Sequence, residues 1–175
     1  MATEGLKSTA ITNLDASPIV ANTAGVQGPF QQKAVDAYIT TTSGVTVGST
    51  YRMLRLKTTC YLKSLVIAGE AMTQGPFDVG AYYSDATMDG TLSTLRGTVI
   101  DADRWGSAVS FASAVQPTDI ITESGVCTVD KLFQPLWQMV GLSADPGGCI
   151  DIVLTSTDTI TTGAKVYLRA GYADA

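Results

Sequence analysis

The sequence contains no histidine, which removes the commonest general base and one of the commonest zinc ligands. Ser-His-Asp and Cys-His catalytic arrangements are therefore excluded. No GxxxxGK[ST] phosphate loop is present either. Only carboxylate pairs remain, and any acidic loop protein offers them, so we predict a protein that is not an enzyme and needs no cofactor. A glycosidase-type site would have to draw on Asp78, Asp85, Asp89, Asp101 and Asp103.

Charge is also scarce. Charged residues make up 15% of the 175 residues, and the net charge is -5. Such an acidic chain lacks the basic surface that nucleic acids and anionic membranes require. No apolar run approaches the roughly 18 residues of a membrane span, and the first residues show no apolar core of a secretory signal. We therefore expect neither nucleic acid nor a membrane as a partner.

Cysteine is limited to Cys60, Cys127 and Cys149, which are far apart and form no CxxC motif. An odd number at such spacing is not typical of a disulfide framework. We expect three reduced thiols that pack as small hydrophobic side chains.

Threonine and serine fill much of the gap that charge leaves, with 24 Thr and 13 Ser. Threonine favours strands, and serine and glycine favour turns. Short strand-like segments separated by Gly-rich turns predict an all-β protein, either a sandwich or a barrel. The predicted strands cover 34–41, 49–57, 60–68, 77–84, 119–122, 149–157 and 164–173, with a less regular stretch at 97–115.

One segment, 128–148, breaks the strand pattern. Its apolar residues are nearly contiguous around a helix, which is typical of a buried helix rather than an amphipathic one. Asp130 could cap its start, Pro135 suits a first turn, and Gly141 suits a stop. We predict one short buried helix that closes an end or edge of the domain. Its apolar residues are Leu132, Phe133, Leu136, Trp137, Met139 and Val140.

The N-terminal residues 1–32 show neither helical nor strand periodicity, and residues 33–175 hold the strand signals. The first segment has too many aliphatic residues for a tail without a partner, since disordered tails are usually depleted in them. We predict an extended arm that lies over a neighbouring chain. The candidate partner-binding residues are Leu6, Ile11, Leu14, Ile19, Val20 and Val26.

The stretch "SDATMDG" (84–90) raises the question of a calcium loop. An EF-hand loop that begins at Asp85 needs a bidentate Glu at its twelfth position, and Arg96 stands there. A cation at that position has the wrong sign. We therefore interpret the Asp and Gly residues as turn formers and predict no metal site.

Five stretches of the chain carry a family resemblance: "QQKAVDAYITT", "GSTYRMLRLKTTCYLKSLVIAGEA", "FDVGAYYSDATMDGT", "DKLFQPLWQMVGLSADPGGCIDIVLTST" and the closing "YLRAGYA". Together they resemble the capsid decoration, or cement, proteins of tailed phages. The most specific part is the PLW…GL…DPGG run before a strand. The chain departs from the family at Lys57-Thr58-Thr59, where relatives often have a Pro-Gly-type turn.

The resemblance implies a jelly-roll-like antiparallel β-sandwich on the outer surface of a virion capsid, made in the host cytoplasm. It also implies two partners, the major capsid protein and further copies of the chain in a dimer or trimer. The alternative is a host-attachment or carbohydrate-binding module, for which Tyr82, Tyr83 and Trp105 are the candidate sugar platforms. Burial of Trp105 would count against that alternative.

Overall fold

Eight strands form the described part of the chain, which in this computed structural model comprises residues 32–73, 75–160 and 162–174. The predicted segments are confirmed for most of the strands. One strand is displaced from 119–122 to 115–119, where Pro117 is tolerated because the strand lies at a sheet edge. The strands are β1 (Gln32–Thr40), β2 (Thr50–Lys57), β3 (Tyr61–Gly69), β4 (Phe77–Tyr83), β5 (Val99–Val109), β6 (Val115–Asp119), β7 (Cys149–Ser156) and β8 (Lys165–Ala173).

The strands pair into two four-stranded sheets with the orders β1-β8-β3-β6 and β2-β7-β4-β5. Every pairing between named strands is antiparallel. This is the strand order of an eight-stranded jelly roll, so the predicted fold class is confirmed. The order also places the β2–β3, β4–β5 and β6–β7 connections at the end of the sandwich where β1 begins and β8 ends.

The core lies between the two sheets and follows the two-residue period of the strands. On β8, Val166, Leu168 and Ala170 are fully buried and point towards the other sheet. Aromatic rings fill the middle of this layer. The Phe77 and Phe111 rings meet edge to face with centroids 5.7 Å apart, an arrangement that aromatic pairs prefer.

The strand β2 departs from a simple two-residue alternation, which would place Arg52 on one face with Leu54 and Leu56. A β-bulge shifts the register between Arg52 and Leu54. Beyond the bulge Leu54 and Leu56 are buried, whereas Arg52 and Arg55 bind the same carboxylate. An extra residue in a strand reverses which face the following side chains occupy, and this reversal keeps both arginines out of the core.

The predicted single buried helix is wrong in its extent. The segment forms a 3-10 turn over Val129–Phe133 and a one-turn helix, α1, over Leu136–Met139. The two are separated because Gln134, which precedes a proline, is extended, and Pro135 is extended as well. Asp130 does not cap the turn, because Thr128 occupies the N-cap position. No helix among the described residues is long and apolar enough to cross a membrane.

The α1 helix nevertheless closes the sandwich as expected. Leu136 and Met139 are fully buried. The first N–H groups of the helix are satisfied by the β2–β3 turn, since Leu136 N donates to Cys60 O at 2.7 Å and Trp137 N donates to Thr58 O at 3.0 Å. Trp137 itself is only half-buried, contrary to the prediction for a core anchor.

Candidate functional site

A buried carboxylate lies at the centre of an ion-pair network on the second sheet. The side chain of Asp151, on β7, is 2% exposed. Arg55 on β2 binds it through two nitrogens, with Nε 2.6 Å from Oδ1 and Nη2 2.8 Å from Oδ2. Arg52 Nη1 lies 2.9 Å from Oδ2. The hydrogen bond with Asp151 raises the pKa of the Arg55 guanidinium above its usual value.

The same two arginines hold both ends of the β4–β5 connection, residues 84–98. Arg55 Nη2 lies 2.7 Å from Asp85 Oδ1, and Arg52 Nε lies 3.2 Å from Asp85 Oδ2. Arg52 also donates to Tyr83 O and Gly97 O, each at 3.2 Å. Because one rigid donor set contacts the start and the end of the connection, the network fixes this connection against the sheet.

The interior of the β4–β5 connection answers the question of the calcium loop. Both oxygens of Asp85 already accept from arginines. Thr91 N donates to Asp89 Oδ1 at 2.8 Å, and Gly90 between them has a φ of 89°, which favours glycine. Arg96 Nη2 donates to Thr87 O at 2.9 Å, so the cation braces the loop. The interpretation as turn formers is confirmed for Asp89 and Gly90, whereas Asp85 is an ion-pair partner of Arg52 and Arg55.

The pKa of Asp89 reflects the same bonding. Burial alone would raise it, but hydrogen bonds from Ser84 and Thr91 outweigh burial and hold the pKa below its ordinary value. Within the described ranges, no three His, Cys, Asp or Glu side chains gather in a way that could hold a metal ion.

Parts of three connections meet at the end of the sandwich where β1 begins, and we call this surface the loop end: residues 58–60, 84–98 and 128–148. Hydrogen bonds join the connections to one another and to β7. Thr58 N donates to Gly148 O at 3.1 Å, and Thr91 Oγ1 donates to Cys149 O at 3.4 Å. The loop end is therefore one continuous bonded surface.

The loop end carries most of the exposed apolar side chains of the described chain. Met88 is 95% exposed at the tip of the fixed β4–β5 connection. Phe133 is held at the surface, because Lys63 Nζ lies 5.5 Å from its ring centroid and donates to the neighbouring Leu132 O. Several exposed apolar side chains gathered on one ordered surface make it a candidate interaction site. The others at this end are Leu92, Val129 and Val99, the last at the first position of β5.

The structure brings together only some of the carboxylates considered for catalysis, namely Asp101, Asp103 and Asp78. Asp85 is bound to arginines and Asp89 belongs to a turn. On β5, a hydrogen bond with Asp101, burial and repulsion from Asp101 and Asp78 raise the pKa of Asp103. Three grooves of the described surface are lined by other carboxylates, namely Asp119, Asp151 and Asp174.

The proposed sugar platforms are not presented to solvent. Trp105 is fully buried in the core, and Tyr82 is 9% exposed. The Tyr82 hydroxyl lies 3.0 Å from Thr155 Oγ1. Tyr83 alone of the three is half-buried. Since sugar rings stack on exposed aromatic faces, this arrangement counts against the carbohydrate-binding alternative.

The three cysteines are free thiols, as predicted. Cys60 and Cys127 are buried and Cys149 is half-buried. Burial raises the pKa of Cys60 to about 12, with smaller contributions from Asp174 and Cys149. Burial also raises the pKa of Cys127 and Cys149 above the ordinary value. Thiols in this state are poor nucleophiles at neutral pH.

The predicted arm residues lie outside the described part of the chain: Leu6, Ile11, Leu14, Ile19, Val20 and Val26. The Asp151 network and the loop end were missed by sequence reasoning. A signal for the network does exist in "CIDIVLTS", where Asp151 is the one charged residue of an apolar strand and so requires partners.

Two solved structures share this fold. The first is a chain in the capsid asymmetric unit of cyanophage Pam1, with a TM-score of 0.51 and 9% identity over 92% of this chain and 97% of that chain. The second is a chain in the capsid of Ralstonia phage GP4, with a TM-score of 0.57 and 12% identity over 83% and 85% of the two chains. At these identities the similarity shows the fold. Comparison with protein-family models and with curated proteins finds no match.

Proposed function

We propose that this protein is a structural component of a phage virion, a decoration protein that binds the outer surface of the capsid shell and stabilises it. The observation that carries the proposal is the jelly roll, which the chain shares over 92% of its length with a chain of one phage capsid and over 83% with a chain of another. The sequence resemblance to decoration proteins supports the same proposal.

The surface chemistry supports a binding role rather than a catalytic one. The Asp151 network fixes the connection that carries Met88 and Leu92, so these side chains are presented without a further entropic cost of ordering the loop. A surface with few charges also loses little solvation when it is covered. We assign the loop end as the face that contacts the shell, with the major capsid protein as partner.

We further propose that the arm, residues 1–32, makes a second contact beside the loop end. It joins the sandwich at the start of β1, which lies at the loop end. An arm that leaves the domain beside the contact face could cover a neighbouring subunit or a second copy of this chain. Six aliphatic side chains at about 25 cal/mol per Å² of buried apolar area would supply several kcal/mol, offset in part by the entropy of ordering the arm.

The test uses phage particles that lack this protein. The purified chain is added to them, and co-sedimentation measures the dissociation constant. Leu92→Ser is the test variant, because burying a leucine is worth about 1.5–3 kcal/mol and every 1.4 kcal/mol is tenfold in affinity. Val47→Ser is the matched control, since Val47 is 60% exposed against 57% for Leu92 but lies at the opposite end of the sandwich.

We expect the wild-type chain and Val47→Ser to bind equally and Leu92→Ser to bind at least tenfold more weakly. No binding of the wild-type chain would overturn the decoration role. Equal binding of all three proteins would keep the role but remove the loop end as the contact face.

A further inference from the structure

The four sheet edges of the sandwich differ in how they are protected. Exposed edges invite another strand, and proteins usually blunt them with bulges, prolines or short strands. Among the described strands, β6 is five residues long and contains Pro117, β5 has three register shifts against β4, and β2 has the bulge after Arg52. The β1 edge has none of these features: its nine residues pair with β8 in one unbroken register.

The residue that follows β1 shows which backbone N–H groups of this strand point to β8. Thr41 N donates to Ala164 O at 2.9 Å. Backbone groups alternate in direction along an antiparallel strand, so the N–H groups of Val35, Ala37 and Ile39 point to β8. Those of the intervening residues point away from β8, and no other described residue bonds to them. They belong to Ala34, Asp36, Tyr38 and Thr40.

The side chains of β1 also show that this edge is left uncovered. Val35, Ala37 and Ile39 face the core but are only half-buried, whereas their β8 partners are fully buried. On the outer face, Tyr38 is 70% exposed. The sandwich is thus incompletely covered along β1, and one more strand would cover both the backbone and the core-facing side chains.

We propose that an extended stretch within residues 1–31 of a second copy adds to the free edge of β1 as a further strand. These 31 residues directly precede β1 and contain six aliphatic side chains with no core of their own. Strand addition supplies hydrogen bonds to the open backbone and pockets for alternate side chains. The half-buried Val35, Ala37 and Ile39 provide the apolar side of those pockets.

A second copy is favoured over the chain's own preceding residues by Pro29. A tight hairpin into β1 would place its turn at Gly28-Pro29-Phe30-Gln31. Two-residue hairpin turns need a positive φ at their first central position, and proline is locked at about −65°. The sequence therefore excludes a two-residue hairpin directly before β1, and the arm of a second copy is the strand that we propose. This pairing joins copies of the chain to each other, so it can fail without affecting the virion role.

The test is residue-resolved amide hydrogen exchange by NMR on the full-length chain at several concentrations. Val35, Ala37 and Ile39 are internal controls, because β8 protects them at every concentration. We expect Asp36 and Tyr38 to be protected at least tenfold at high concentration and to lose that protection on dilution. Amides within residues 1–31 should gain and lose protection together with them.

Three other results would overturn the proposal. Free-edge amides that exchange as in an unstructured chain at all concentrations would mean that no strand is added. Protection that does not change on dilution would identify the chain's own arm as the added strand. Concentration-dependent protection confined to β1 would indicate that two β1 strands pair with each other.

A pair of variants gives a second measurement. Ala34→Pro removes one free-edge N–H and leaves the β8 bonds in place, and Ala34→Val keeps that N–H with a side chain of similar bulk. We expect Ala34→Pro to raise the dissociation constant of self-association at least tenfold in analytical ultracentrifugation, with Ala34→Val unchanged. Equal dissociation constants for the two variants would contradict strand addition at this edge.

Discussion

Replacing Asp151 by asparagine would test the network that holds the β4–β5 connection. The substitution preserves shape but removes the charge that Arg52 and Arg55 share. Removing one partner of a buried ion pair costs about 3–5 kcal/mol. The lower part of that range applies here, because the side chains of Arg52 and Arg55 are 28% and 39% exposed and both retain Asp85 as an ion-pair partner. We expect a loss of about 3 kcal/mol in the free energy of unfolding, or roughly 6–12 °C in Tm for a chain of this size.

The assay is thermal and urea unfolding of Asp151→Asn beside Asp174→Asn. The control removes an exposed carboxylate, which pairs with Lys33 and has a side chain 46% exposed, and such surface pairs contribute about 0–1 kcal/mol. Protease cleavage within residues 84–98 should also rise in Asp151→Asn, since the connection loses its anchor. If both variants unfold alike and the connection stays resistant to protease, the network does not have the role described here.

Three further predictions concern the α1 helix, the buried Cys60 thiol and the N-terminal arm. Leu136→Ala should lower the free energy of unfolding by about 2–5 kcal/mol because Leu136 is fully buried. Trp137→Ala should lower it by less because Trp137 is only half-buried, and urea unfolding of the two variants checks this order. The Cys60 thiol loses its proton near the ordinary pKa of 9.0 in the unfolded chain but only near 12 in the folded chain. The free energy of unfolding should therefore fall as pH rises from 9 towards 12. Urea unfolding at several pH values measures this, and a free energy that does not change with pH would contradict the burial of this thiol. Deletion of residues 1–25 should leave the melting transition nearly unchanged and weaken co-sedimentation with particles at least tenfold; full binding by the shortened chain would place the contact on the sandwich alone.

The sequence was sufficient for the fold class because the strands carry their own signal. In β8, Val166, Leu168 and Ala170 alternate with polar or small residues, and that period alone identifies a strand with one buried face. The position of a bulge is different, since it depends on the partner strand. Nothing in "TYRMLRLK" distinguishes a regular strand from one that shifts after Arg52, so alternation alone cannot assign the faces of β2.

The sequence does contain a signal that the apolar run 128–148 is not one continuous helix. Pro135 biases Gln134 away from the helical conformation, which divides the apolar run into two short pieces. The apolar character of Phe133 predicts burial, whereas its side chain is 51% exposed and contacts Lys63 at the surface. The loop end could not be predicted, because it brings together connections that are far apart in the chain and touch only once both sheets have formed.

The central claim is that this chain lies on a capsid. Cryo-microscopy of the phage particle that contains it tests the claim most directly. We predict jelly-roll density on the outer surface of the shell, with the connections that carry Met88 and Phe133 facing the capsid subunits. Density for this chain elsewhere in the particle, or no density for it on the outer surface of the shell, would contradict the account.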